Sequence, residues 1–298
     1  MAFYHGILPW YLQKSDLVHS VGNVACLLTR KPQVVTVHDL CQKIVPQRFS
    51  RTKRIYLEFG LKRTAARNLE IICDSENTRR DLTRFYPEAS PRAHVVHCAC
   101  KFSPNKQEVF SRKDFLFVGT LEPGKNLDSI LRALCRLRDE YGLVARLKVV
   151  GAKGWKQSHI APLIRELQLE ETVDFLGYLT DADLRAQYKS ALCLVFPSSY
   201  EGFGFPLLEA QSQGCPVISA DNSCLREVGG EGCHYFQDGH MDQLVELMRY
   251  CLERNEAFSS ICAAGFENCE RFSWEKSAEL TLEVYRLELE KRKRPAHK

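Results

Sequence analysis

Short apolar runs alternate along the chain with longer amphipathic stretches, and this alternation is the first thing the sequence specifies. Residues 16–20, 33–37, 70–75 and 94–98 read as strands in the first third, and 115–118, 146–150, 173–176 and 191–196 in the remainder. The run Ala191-Leu-Cys-Leu-Val-Phe196 is apolar throughout, as a strand buried on both faces requires. Helical patterning fills the intervals, over 50–68, from Ser75 onward, and over 126–141, 160–167 and 181–190, with a last helix starting near Trp274. Strands separated by helices predict an α/β chain with parallel sheets. The polar stretch beginning Lys101-Phe-Ser-Pro divides the pattern into two series. The expected organisation is a first domain over 1–104, a second over 105–274, and a terminal helix with a basic tail over 275–298.

Composition changes this picture little. With 298 residues and 45% hydrophobic content the chain has material for two ordinary cores. A formal charge of +4 gives no reason to expect a nucleic-acid partner. Thirteen cysteines are scattered without zinc spacing, several in predicted strands, so they read as small apolar side chains in a reducing compartment. No metal site is expected. No window approaches the run of about twenty apolar residues that spans a bilayer. The apolar start, Met1 to Trp10, lacks a basic lead and a cleavage site and reads as part of the fold. A cytoplasmic protein is expected, with a peripheral position at the inner face of a membrane as a further option. That option rests on residues 48–67, which are basic with Ile55, Phe59 and Ala66 at helical spacing. They read first as a solvated surface helix and second as a helix laid on an anionic membrane.

The most informative segment follows the strand at 191–196. Here Glu201-Gly-Phe-Gly-Phe-Pro-Leu-Leu-Glu209 opens a short helix between two strands. Pro206 suits a first helical position and Gly214 the residue beyond the last turn. Glycines at 202 and 204 permit close approach of a ligand to backbone, and a helix start offers free N–H groups and partial positive charge to an anion. The expected donors are the amides of Gly204, Phe205, Leu207 and Leu208. Glu209 is placed to accept from ribose hydroxyls and Glu201 from a transferred sugar. For either acid alone, a helix-dipole or solvated surface role would be the simpler explanation. The joint spacing, with flanking strands and glycines, points to a nucleotide-sugar site.

With Val37-His38-Asp39-Leu40, Val118-Gly119 through Lys125-Asn126, and Phe175-Leu-Gly-Tyr-Leu179, this segment resembles the retaining glycosyltransferases of the GT-B fold, family 4 type, a group including bacterial mannosyltransferases and sucrose and glycogen synthases. The likeness runs from about Asp16 to about Trp274. It implies two Rossmann-like domains facing a cleft, the N-terminal one lacking its first βα units, and a last helix that crosses back to that domain. It also implies that Glu201 contacts the donor sugar, Glu209 binds ribose, Lys125 neutralises the diphosphate beside Gly119 and Thr120, His38 shapes the sugar pocket, and Leu179 offers backbone groups to the base. His38 follows a strand, at the carboxyl end where ligands of open α/β sheets bind.

The implied reaction moves a hexosyl group from a nucleoside-diphosphate sugar to an acceptor hydroxyl with retention, in polysaccharide or glycolipid assembly. Sugar or lipid-linked acceptors are its expected partners, and no cofactor is expected. Relatives often carry an arginine where this chain has Thr120 or Gly124. No glycine-rich loop precedes His38-Asp39. Those departures keep a second expectation open, a catalytically inactive nucleotide-binding or partner-binding remnant. An epimerase or a sugar phosphorylase on the same architecture is a third, though the latter needs a longer chain with a pyridoxal-phosphate lysine. Lys153, in a glycine-lysine turn after the strand at 146–150, reads as solvent-exposed.

Overall fold

Parallel strands with helical crossovers build two separate units. The computed structural model describes residues 14–26, 28–106, 112–152, 154, 158–253 and 259–293. Lys153, the first ten residues and the end of the basic tail lie outside the described residues. One unit comprises residues 1–98 with 273–298, and the other residues 99–272. The break falls ahead of residue 104 because Phe102 is already part of the second unit's core.

The first unit holds a parallel sheet in the order β1 (Val18–Ser20), β2 (Gln33–Val37), β3 (Glu70–Cys73), β4 (Ala93–Val95). Helix α1 (Cys41–Ile44) and the longer α2 (Arg51–Ala65) connect β2 to β3. Helix α3 (Glu76–Phe85) follows β3. Ser50 and Ser75 cap α2 and α3 by accepting from the amides of Lys53 and Thr78, as their side-chain chemistry favours. Strand β4 starts and ends earlier than the apolar pattern suggests, although the Val96 amide still bonds Cys73 O. Ile55, Phe59 and Ala66 lie on the solvent side of the α2 region, while Leu61 and Ala65 face the core.

In the second unit the sheet order is β10 (His234–Phe236), β9 (Val217–Ala220), β8 (Cys193–Phe196), β5 (Phe115–Val118), β6 (Leu147–Val150), β7 (Val173–Gly177). The order reverses between β5 and β8, the kind of switch point at whose carboxyl ends ligands of open α/β sheets bind. Helices α4 (Leu127–Tyr141), α5 (Ile160–Glu166), α6 (Asp181–Ser190) and α7 (Phe205–Ser212) make the crossovers. They are followed by α8 (Leu225–Gly229), α9 (Met241–Glu253) and α10 (Ser259–Cys269). Strands β5, β8 and β9 are buried along their whole length, which accounts for the unbroken apolar sequences of β5 and β8 and leaves Ser219 as the one polar residue of β9. All thirteen cysteines are free thiols, and nine are buried.

Helix α11 (Trp274–Lys293) returns to the first unit, where Val284 packs with Val34, Ile72 and Val96. Its fastening is polar as well. The buried Glu288 carboxylate accepts from the amides of Gln33 at 3.3 Å and Glu70 at 3.1 Å, the first residues of β2 and β3. Lys291 pairs with Glu70 and stands 3.8 Å from Glu288. These charges sit at the amino ends of the strands, so they brace the helix and leave the carboxyl ends to other chemistry.

Candidate active site

In the second unit, the loop after β5 and the loop after β8 emerge side by side because their strands are paired in register, Phe115 with Cys193 and Leu116 with Leu194. The first loop carries the 3-10 turn Pro123–Lys125, and Asn126 takes a left-handed conformation to start α4. Gly124 O accepts from the Ser199 amide at 3.0 Å, which ties the two loops together. Lys125 Nζ then reaches Glu201 Oε1 at 2.5 Å, and Ser198 Oγ donates to the same oxygen at 2.5 Å. Both charged side chains are largely shielded from solvent. From the other side, the Glu201 amide donates to Ser223 Oγ at 3.1 Å, with Ser223 itself held at a positive φ of 46°.

A third loop closes against these. Gly151 has φ +147°, and a Cβ there would stand 2.0 Å from Gly119 O. No other residue type permits that approach. Gly119 is thereby fixed by its amide bond to Val150 O at 2.9 Å, and Thr120 beside it is exposed. Leu179, beyond the β7 terminus, is half-buried with its side chain packed against the core.

Helix α7 begins at Gly204, whose φ of +99° makes the sharp entry into the helix. Pro206 occupies the second helical position, one later than its missing N–H suggested, because Phe205 is already helical. Leu207 and Leu208 are fully buried, so any contact they make with a ligand is through backbone. The Leu207 amide already donates to Gly204 O at 3.1 Å, which corrects its expected place among the free donors. Glu209 lies one turn into the helix and is 8% exposed. Its Oε2 accepts from Tyr188 Oη at 2.9 Å, and Lys101 Nζ stands 3.8 Å from Oε1. Burial pushes the Glu209 carboxyl above its ordinary pKa, against the Tyr188 hydrogen bond and the Lys101 charge, which pull it down.

His38 belongs to the first unit. Its ring bridges Asp74 Oδ2 at 2.7 Å through Nδ1 and Val21 O at 2.8 Å through Nε2. A carbonyl oxygen can only accept, and an ionised carboxylate likewise, so the ring donates from both nitrogens and is an imidazolium. The Asp74 hydrogen bond raises its pKa to about 9, overcoming the opposing effect of burial. Asn23 Oδ1 accepts from the His38 amide at 2.8 Å.

The structure therefore brings Lys125 and Glu201 into direct contact, with Gly119, Thr120, Gly204 and Glu209 on the loops and helix of the same unit. Ser198, Ser223, Tyr188, Lys101 and Asp74 are partners that sequence reasoning did not single out. Asp74 had a signal: in a parallel sheet that pairs Val37 with Cys73, residues 38 and 74 must stand side by side. No group of acidic, histidine or cysteine side chains suited to a metal occurs among the described residues.

Residues 101–265 match the family model for glycosyl transferases group 1. The chain belongs to the group 1 glycosyltransferases. O-antigen chain mannosyltransferase B of Escherichia coli is 28% identical over 266 residues, covering 85% of this chain and 70% of that protein. O-antigen chain mannosyltransferase RfbU of Salmonella typhimurium is 30% identical over 207 residues, covering 68% of this chain and 56% of that one. The chain thus spans between about half and three quarters of the length of these relatives. Among solved structures, Anabaena Alr3699/HepE in complex with UDP and glucose superimposes with a TM-score of 0.77 at 19% identity, over 94% of this chain and 80% of that one. This likeness establishes the fold as GT-B, with two Rossmann-like domains, for this group 1 glycosyltransferase. No described helix is long and apolar enough to cross a membrane.

Proposed function

We propose that the chain transfers a hexosyl group, mannosyl by likeness to its relatives, from a nucleoside-diphosphate sugar to an acceptor hydroxyl. The anomeric configuration is retained, as in family 4 enzymes. The observation that carries this reading is the Lys125–Glu201–Ser198 contact at the carboxyl ends of β5 and β8, beside the start of α7 and the buried Glu209. Lys125 has three donors and uses one on Glu201, so two remain for the oxygens of a departing diphosphate. Amides at the start of α7 add partial positive charge at the same end. Glu201, held by Ser198 and Ser223, accepts from hydroxyls of the transferred sugar, and Glu209 from those of the ribose. His38 supplies a fixed positive charge within the first unit. Catalysis on this reading is electrostatic and positional, with the leaving phosphate taking the acceptor proton on the same face, so no side chain has to act as base.

Neutralisation of the diphosphate falls to Lys125 and backbone amides rather than to a metal. The acceptor is a sugar or a lipid-linked sugar. Exposed Ile55 and Phe59, among Arg51, Lys53, Lys62 and Arg63 on α2, support peripheral contact with an anionic membrane.

The test is equilibrium binding of UDP, GDP and ADP and their hexose conjugates to the wild-type chain and to Glu209→Ala. Binding of one nucleotide series, weakened at least tenfold by the substitution, is expected for a carboxylate that accepts from two hydroxyls. Equal binding by the two proteins would remove Glu209 from the donor site and overturn the assignment.

A further inference from the structure

Lys101 lies near the start of the second unit, and its charge is directed at α6 and α7 of that unit. Nζ donates to Asp181 Oδ1 at 2.6 Å, at the first turn of α6, and stands 3.8 Å from Glu209 Oε1. Nζ also lies over the ring of the buried Phe102, 4.8 Å from its centroid. Three groups therefore converge on Glu209: Tyr188 hydrogen-bonded to one oxygen, Lys101 near the other, and Cys100 close by as a neutral thiol whose own pKa is pushed up by burial. Asp181 is the remaining charged neighbour and is itself occupied by Lys101.

The distances distinguish a counter-charge from a blocking group. At 3.8 Å the ammonium lies beyond hydrogen-bond reach of Oε1 yet well within electrostatic reach. Its hydrogen bond goes to Asp181, and at 3.8 Å none of its remaining donors occupies the lone pairs of Oε1, which stay open to a ligand. A receptor for two vicinal hydroxyls needs both carboxylate oxygens as acceptors, and a protonated acid turns one of them into a donor. Burial works toward that protonated form, and the negative charge of Asp181 adds to it, so Lys101 opposes both.

We propose that Lys101 is a positioning residue for the donor nucleotide: anchored by Asp181, it keeps Glu209 ionised so that both carboxylate oxygens can accept from the ribose hydroxyls. The proposal rests on Glu209 being the ribose receptor. Its first half, the effect of Lys101 on the charge of Glu209, stands without that reading. Lys101 thereby sets the pH range over which the donor site works, without itself touching donor or acceptor.

Two measurements separate the parts. In the first, the carboxyl carbons of 13C-labelled glutamate are titrated by NMR in the wild-type chain and in Lys101→Met, with Glu209→Gln identifying the resonance. Glu209 is expected to titrate at higher pH in Lys101→Met and to return toward wild type in Lys101→Arg. Coincident titrations would overturn the proposal whether or not the chain binds nucleotides. In the second, UDP, GDP and ADP and their 2′-deoxy counterparts are bound between pH 6 and 8.5. Lys101→Met is expected to weaken the ribonucleotide by about tenfold at pH 6, with the difference shrinking as pH rises and much reduced for the deoxy ligand. Equal weakening of both ligands at every pH would show direct contact between Lys101 and the ligand, and would also overturn the proposal. Absence of binding by the wild-type chain would refute the donor-site reading and the ribose half of the proposal, while leaving the NMR result to judge the rest.

Discussion

Each unit buries a glutamate against its sheet, and burial pushes the pKa of both upward, but the two acids are bonded in opposite ways. Glu288, in the first unit, is 1% exposed and has both oxygens bonded to backbone amides, with Lys291 beside them. Glu209, in the second, has one oxygen bonded to Tyr188 and the other near a cation that does not bond to it. The first is saturated by its own chain and fastens a helix. The second is supplied with charge and left short of donors. A carboxylate of the second kind costs the fold stability and is useful only if something else completes it, so the difference separates a clasp from a receptor better than burial does.

The sharpest way to break this comparison is to make the same isosteric change at both acids. Glu288→Gln leaves one acceptor where two buried amides need one each, and turns an NH2 group toward a backbone N–H. It also removes the charge opposite Lys291. A loss of about 3 kcal/mol is expected, the cost of orphaning a buried donor together with breaking a buried charged contact. Urea unfolding with intact slope would measure it. A loss below about 1 kcal/mol would mean that the amides find other partners, and Glu288 would no longer qualify as a clasp.

A second expectation concerns charge at the other end of the first unit's sheet. His38 has its pKa raised to about 9 by Asp74. A raised base contributes stability that is fully present below its unfolded value of 6.5 and is lost as pH rises through about 9. The ring is half exposed, so solvent screening cuts the full linkage value to about 1 kcal/mol. Melting temperature should therefore fall between pH 7 and 9.5 in the wild-type chain, and the fall should be largely absent in Asp74→Asn. Parallel profiles for the two proteins would mean that the bond does not set the charge of His38.

The contrast between clasp and receptor was only half visible in the sequence. Apolar runs such as 191–196 and 115–118 located the strands because they are buried on both faces, and Gly214 and Ser75 marked helix ends through their local chemistry. Glu201 and Glu209 were legible because their spacing follows from one turn and one helix, and Lys125 because it stands in the loop after Gly119 where the family resemblance places a phosphate-binding lysine. Their partners were not. Lys101 looked like linker because a polar, proline-containing stretch follows Phe102, and only the folded position of Phe102 shows that the segment belongs to the second unit's core. Glu288 looked like one acid in a charged terminal helix, since its function depends on amides 255 and 218 positions away. Tyr188 and Ser198 read as ordinary helix and loop residues for the same reason. Pairings across a sheet or between crossovers leave no periodic trace, whereas caps and turns do.

The smallest expected effect bears most directly on the receptor. Glu209→Gln keeps an acceptor for Tyr188 Oη and removes a buried charge whose ionised form the fold disfavours. An acid with a raised folded pKa makes the fold less stable above its unfolded value, and the deficit disappears as pH falls through the carboxylate range. The substitution should thus be neutral or stabilising by about 0.5 kcal/mol at pH 7, the modest size reflecting the attraction to Lys101 that is lost with the charge, and should converge with wild type near pH 4. Denaturant unfolding at the two pH values would measure it, with nucleotide affinity followed in parallel. Stability held while affinity falls is what a receptor predicts. A destabilisation matching that of Glu288→Gln would place Glu209 with the clasps, and its charge would then serve the fold and not a ligand.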